Sequence, residues 1–131
     1  MQANQNSSDT IYALSSASGK AGVSVIRVSG IKAWESLAAL TPNQKLPSPR
    51  HTKVMALMNP VSRETESAVI DLAMVIGFKS PASFTGEDVV EYHCHGSPAI
   101  LDEMMSVLSQ MDGHRLANHG EFTRRAFDNG K

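Results

Sequence analysis

Two rhythms of apolar residues divide this chain into short elements. One is the alternation of a half-buried strand; the other is the three-to-four-residue recurrence of a helix face. Thr10 to Leu14 and the β-branched run Val23 to Val28 are predicted strands. Ile31, Trp34, Leu37, Ala38 and Leu40 have helical spacing, which predicts a helix over Ile31 to Leu40. Thr41 to Arg50, with Pro42, Pro47 and Pro49, is predicted to be a linker loop. His51 to Met58 and the apolar run Ala68 to Phe78 are predicted to form a hairpin across the polar turn Asn59 to Ser67. Lys79 to Gly86 is a predicted loop, and Glu87 to His95 the next strand. Pro98 to Met111 carries the clearest helical stripe, in Ile100, Leu101, Met104, Val107, Leu108 and Met111. Met104, Met105 and Met111 are read as core rather than as an interface. Asp112-Gly113 stops that helix. A brief strand at His114 to Ala117 follows, then a short helix at Glu121 to Asp128, with Phe122, Ala126 and Phe127 inward and Arg124, Arg125 and Asp128 more exposed. Strands and helices in this order, with a hairpin among them, predict an α+β fold: a mixed sheet with helices packed on it.

The 131 residues suit one domain, and 41% hydrophobic content is enough for a core. A net charge of -1 lacks the basic excess of a stand-alone nucleic-acid binder. No apolar run reaches membrane-spanning length. Residues 1–9 have neither the basic nor the apolar region of a signal peptide and read as a disordered polar leader. The lone Cys94 fits a reducing, cytoplasmic location. The halt at Lys131 directly after a helix suggests a fragment of a longer protein.

Candidate chemistry gathers in Ser83 to Ala99, SFTGEDVVEYHCHGSPA. On a strand, Val89, Glu91, His93 and His95 share one face, and Val90, Tyr92 and Cys94 the other. Glu91, His93 and His95 have the spacing of a small metal site, but without a recognised metal motif they read equally as packing or ligand-binding groups. A buried Glu91 would need a converging donor. Glu87 and Asp88 read as solvated acids at the strand entrance. Arg27 interrupts the apolar strand VSVIRVSG. Its position fits an edge strand or a structural salt bridge; it fits as well the recognition of an anionic or carbonyl oxygen. The loop SSASGKAG, Ser15 to Gly22, fails the phosphate-loop pattern because Ala21 follows Gly19-Lys20.

Four ordered segments, DTIYAL, GVSVIRVSG, SFTGEDVVEYHCHG with SPAIL, and GEFTRRAFDNGK, together resemble the N-terminal domain of the tRNA modification GTPases called MnmE or TrmE. The resemblance spans Asp9 to Lys131, with Ala33 to Lys79 carried mainly by the element pattern. It implies a folate-binding and dimerisation domain over residues 10–131, with the helical and GTPase domains absent. It also implies a fold like the tetrahydrofolate-binding part of glycine-cleavage aminomethyltransferases. The implied ligand is 5-formyl- or methylene-tetrahydrofolate, held by Arg27, Glu91 and Lys131. Glu91 would take the donor edge of the pterin ring, and Arg27 and Lys131 oxygens of the ring or tail. The implied partners are a second copy, an FAD-dependent protein of the MnmG type, and tRNA, whose wobble uridine is modified at carbon 5 with a folate-derived one-carbon unit. GTP, magnesium and potassium would enter only through the absent GTPase domain. The fragment is thus expected to bind rather than turn over, with no catalytic or metal-ligating residue of its own.

This chain departs from the family pattern at three places. SSASGKAGVS stands where TPPGRGGVG is usual, His119 replaces a proline in HGEF, and CHGS replaces GHGG while keeping His95-Gly96. Two other readings remain: a stand-alone folate-dependent one-carbon transferase, and a metal-dependent hydrolase built on Glu91, His93 and His95.

Overall fold

The computed structural model describes residues 8–16, 22–61 and 68–131. The strands are β1 (Thr10–Ser16), β2 (Val23–Ser29), β3 (Lys53–Met58), β4 (Val69–Phe78), β5 (Val89–His95) and β6 (His114–Leu116). The helices are α1 (Ala33–Leu40), α2 (Pro98–Ser109) and α3 (Glu121–Asp128). One sheet contains all six strands in the order β3-β4-β5-β2-β1-β6. Neighbours pair antiparallel except β1 and β6, which run parallel. This is the predicted α+β fold with a mixed sheet, and the predicted β3–β4 hairpin is present. Among the described residues no helix is long and apolar enough to cross a membrane.

Helices α1 and α2 cover one face of the sheet. Leu37 and Leu40 from α1, and Met104 and Leu108 from α2, are fully buried against Ile26, Val28, Met55, Val75, Val90 and Tyr92. Each such side chain contributes on the order of 1.5–3 kcal/mol by leaving water. Strand alternation sends Val90, Tyr92 and Cys94 into this core, so Glu91 and His93 face the other side. That second face carries exposed apolar side chains: Val54, Leu72 and Met74 are 68%, 60% and 41% exposed.

The Thr41–Arg50 loop is irregular as predicted, and it is fastened to the sheet edge. Gln44 Nε2 donates to Ala56 O at 2.8 Å, and Ala56 N donates to Gln44 Oε1 at 3.2 Å. The side-chain amide therefore supplies the pairing that edge strand β3 lacks on that side.

Several boundaries differ from the sequence reading. Helix α1 starts at Ala33 rather than Ile31, and Ile31 is exposed. The chain turns there at Gly30, whose φ is +143° and where a Cβ would stand only 2.6 Å from Thr10 Cα, leaving no room for a side chain. Helix α2 ends at Ser109, two residues early, although Met111 still packs on the core. Strand β5 starts at Val89, and Glu87 and Asp88 are bonded loop residues rather than solvated acids. Asp88 Oδ1 accepts from Ser80 N at 2.8 Å, and Glu87 Oε1 accepts from Ser29 Oγ at 2.8 Å. Most of the predicted leader, most of the Ser15–Gly22 loop and residues 62–67 of the predicted turn lie outside the described residues. Asp9, assigned to that leader, belongs to the fold: its Oδ2 accepts from Arg115 Nε at 2.8 Å.

Candidate functional site

The uncovered side of the sheet narrows to a pocket near its centre. Arg27 on β2 stands directly opposite Glu91 on β5 in the strand register. Side chains opposite each other across a ladder lie on the same face within reach. Arg27 Nε and Nη2 both donate to Glu91 Oε2, at 3.0 and 2.9 Å. His93 Nε2 lies 3.3 Å from the other oxygen, Oε1. Glu91 thus has its converging donor, and Arg27 is a salt-bridged residue of an interior strand rather than an edge residue.

Two aromatic rings hold the same guanidinium. Arg27 Cζ lies 5.3 Å from the centroid of Phe84, in the loop before β5, and 5.7 Å from that of Phe122, at the start of α3. Both distances fall in the range where a cation is attracted to a ring face. Arg27, Phe84 and Phe122 line a pocket of about 350 Å³, together with Ala13 and Leu14 of β1 and the Ala117–Thr123 turn, which brings Asn118 and His119. The volume is at the small end of the range for ligand sites. Flat apolar walls around one fixed guanidinium suit a planar, oxygen-bearing ring.

The rest of the sequence-predicted set is distributed around this centre. Glu91 fixes Arg27 from behind and is not itself a lining residue. Lys131 lies beyond α3, its backbone N donating to Ala126 O at 2.8 Å. Its Cγ lies 3.4 Å from where a Cβ on Gly86 would stand, beside the loop that carries Phe84. His95 is parted from Glu91 and His93: its Nδ1 donates to Asp71 Oδ1 at 2.8 Å, and its backbone N to Asp71 Oδ2 at 2.8 Å. Among the described residues no group of three or more His, Cys, Asp or Glu is arranged to hold a metal ion, so the hydrolase reading loses its ligand set.

Helix α3 keeps Ala126 inward and Arg124 and Asp128 exposed as predicted, but Arg125 and Phe127 trade places. Arg125 is buried, at 5% exposure, and Phe127 is 80% exposed. Arg125 turns inward because acceptors await it there. Its Nη1 donates to Glu87 Oε1 and Oε2 at 3.1 and 3.2 Å and to Asp9 O at 2.8 Å. Its Nη2 donates to Glu121 Oε2 at 3.2 Å. Glu121 also receives Arg115 Nη1 and Nη2 at 2.9 and 2.7 Å. The Arg115 hydrogen bonds are the main cause holding the Glu121 carboxyl down at about 2.

Phe84, Asn118 and His119 were not singled out as binding residues from the sequence. Phe84 lies far along the chain from the adjacent Asn118 and His119, and only the fold brings them to one pocket.

A six-stranded mixed sheet with helices packed on one face and a pocket on the other defines an α+β domain. The chain belongs to the family described as "GTP-binding protein TrmE N-terminus", whose family model matches residues 10–131. It is 53% identical to a tRNA modification GTPase MnmE from Roseobacter denitrificans over 94% of this chain and 27% of that protein. It is 47% identical to the human mitochondrial 5-taurinomethyluridine tRNA synthase subunit GTPB3, over 93% of this chain and 24% of that protein. The chain therefore spans about a quarter of the length of the curated relatives it matches.

Proposed function

We propose that this domain binds a reduced folate, 5-formyl- or methylene-tetrahydrofolate, in the Arg27 pocket, and that it pairs with a second copy of itself. The observation that carries this reading is a single guanidinium, docked on Glu91 and flanked by Phe84 and Phe122, opening onto a pocket sized for a fused ring. Folate chemistry fits the donor set. A pterin carries a ring carbonyl for Arg27 and an N–H edge for a carboxylate. Glu91 Oε2 already accepts two N–H groups, so Oε1, which among the described residues meets His93 alone, is the oxygen with spare capacity. Arg27, Glu91 and Lys131 would hold the ligand, which when bound supplies a one-carbon unit. The chain's own part is to orient the ring and to keep water from its faces. The expected likeness to the tetrahydrofolate-binding part of glycine-cleavage aminomethyltransferases goes with this reading.

The exposed apolar face around Val54, Leu72 and Met74 supports self-association. In the whole protein, the names of the relatives support a tRNA substrate. There the one-carbon unit would go to carbon 5 of the wobble uridine, with an FAD-dependent MnmG-type partner, in the cytoplasm. GTP, magnesium and potassium would act in the GTPase domain, outside this domain. Equilibrium dialysis of the chain against 5-formyltetrahydrofolate tests the first part, with folate retained at one site per chain as the supporting result. Retention equal to that of a heat-unfolded sample would defeat it.

A further inference from the structure

The two rings that clasp Arg27 come from the periphery of the fold. Phe84 belongs to the loop between β4 and β5, and Phe122 to α3. Neither element is well anchored by apolar burial. Helix α3 has eight residues, too few to be stable alone, and its buried residues are Arg125 and Ala126. An alanine offers little area, and Phe127 points to solvent. Polar contacts must therefore set where α3 sits.

Arg125 provides them. A buried arginine is uncommon and demands acceptors. It reaches Glu87, three residues after Phe84, and it reaches the Asp9 carbonyl beside the start of β1. Glu87 Oε1 in turn accepts from Ser29 Oγ, two residues from Arg27 on β2. Asn129 Nδ2 adds a bond to Thr85 O at 2.9 Å. The links run from β2 through the Phe84 loop to α3 and on to β1, with the Arg125 guanidinium at their crossing.

We infer that Arg125 is the positioning residue of the Arg27 pocket. Its fork fixes Phe122 through α3, Phe84 through Glu87, and the placement of Lys131 beyond the helix. This rests on the reading that the pocket takes a reduced folate only as far as affinity is the readout. A lysine at this position keeps the charge but loses the planar fork, so it cannot hold Glu87, Glu121 and the Asp9 carbonyl together.

The test uses the 131-residue chain and two readouts. The first needs no ligand: the proton and nitrogen resonances of the Arg27 Nε–H group, which two flanking rings should shift by ring currents. Phe122→Ala identifies that signal. In Arg125→Lys, with circular dichroism matching the wild type, the signal is expected to move toward the value of an unflanked arginine. An unmoved signal in folded Arg125→Lys overturns the inference. Should Arg125→Lys not fold, Glu87→Gln, which weakens the same link from the other side, is read in the same way.

The second readout is a double-mutant cycle on 5-formyltetrahydrofolate affinity. Arg125→Lys is expected to weaken binding about tenfold in the wild type and less than threefold in Phe122→Ala, because the ring it places is already gone. Equal fold-losses in both backgrounds would mean that Arg125 acts only through general stability, and would overturn the inference. If the wild type binds no folate while the Arg27 signal moves as expected, the folate reading falls and the positioning role stands.

Discussion

Arg27 aims two of its donors at one oxygen of Glu91. Nε and Nη2 converge on Oε2 at 3.0 and 2.9 Å, leaving Oε1 to His93. The pair is about four-fifths buried, with side-chain exposures of 25% and 18%. Removing one partner leaves the other charge partly desolvated. Arg27→Met is expected to cost about 1–2 kcal/mol of stability in urea titrations, and Glu91→Gln less, because an amide oxygen still accepts. For ligand affinity both variants are expected to fall by at least tenfold. Strong folate binding by Arg27→Met would remove Arg27 from the site.

Acid should loosen α3 before it unfolds the sheet. Glu121 has its carboxyl lowered from the ordinary 4.5 to about 2, first through its hydrogen bonds from Arg115. A depressed carboxyl contributes stability that is complete above its unfolded value and is lost as pH falls through the folded one. The window is therefore between about 4.5 and 2, and the loss is on the order of 3 kcal/mol. Glu121→Gln should show a flatter fall of thermal midpoint across that window than the wild type. Parallel curves would deny the Arg115–Glu121 pair this role.

How much of this was legible in the sequence differs by element. Alternation along Val89–His95 separated Glu91 and His93 from Tyr92 and Cys94 correctly, because strand period needs no partner to be read. The apolar stripe of α2 was equally plain. Arg27 stood out as a charge in a β-branched strand, yet its partner could not be read, since Glu91 is 64 residues away. The largest misreading was α3. Its Phe122, Ala126 and Phe127 suggested an apolar face, while Arg125 looked solvent-facing. Asp9 and Glu87, 116 and 38 residues from Arg125, draw it inward, while Ala126 stays buried as read and Phe127 turns to solvent. The usable hint was that one alanine and two phenylalanines are a poor anchor for so short a helix.

Gly77 is expected to be intolerant of any side chain. A Cβ there would fall well inside contact distance of Trp34 Cζ2, whose indole Nε1 is tethered to Phe78 O at 3.1 Å. Gly77→Ala must push the Trp34 indole away from β4 or bend that strand. The expected cost is about 1–3 kcal/mol, the range for overpacking, read from urea midpoints. A neutral result would mean that the tether does not hold Trp34.

Cys94 should be inert in the native chain. It is 1% exposed, and burial, with a smaller contribution from Asp71, pushes its thiol up to about 12. Thiolate, not thiol, is the reactive form. Labelling with a disulfide reagent at pH 8 is expected to proceed only on unfolding in denaturant. Rapid labelling of folded protein would show that the β5 core face opens readily.

The open sheet face should govern self-association. Leu72→Glu puts a charge among Val54 and Met74 at a 60% exposed position, where it cannot disturb the core. Sedimentation velocity should show dimer in the wild type and monomer in Leu72→Glu, with unchanged circular dichroism. A dimer in both would move the interface elsewhere.

Isothermal calorimetry with 5-formyltetrahydrofolate tests the central claim most directly. The account predicts a saturable one-site heat for the folded wild-type chain, weakened at least tenfold in Glu91→Gln. No heat from a well-folded wild type at millimolar ligand, or equal heats in wild type and variant, would contradict it.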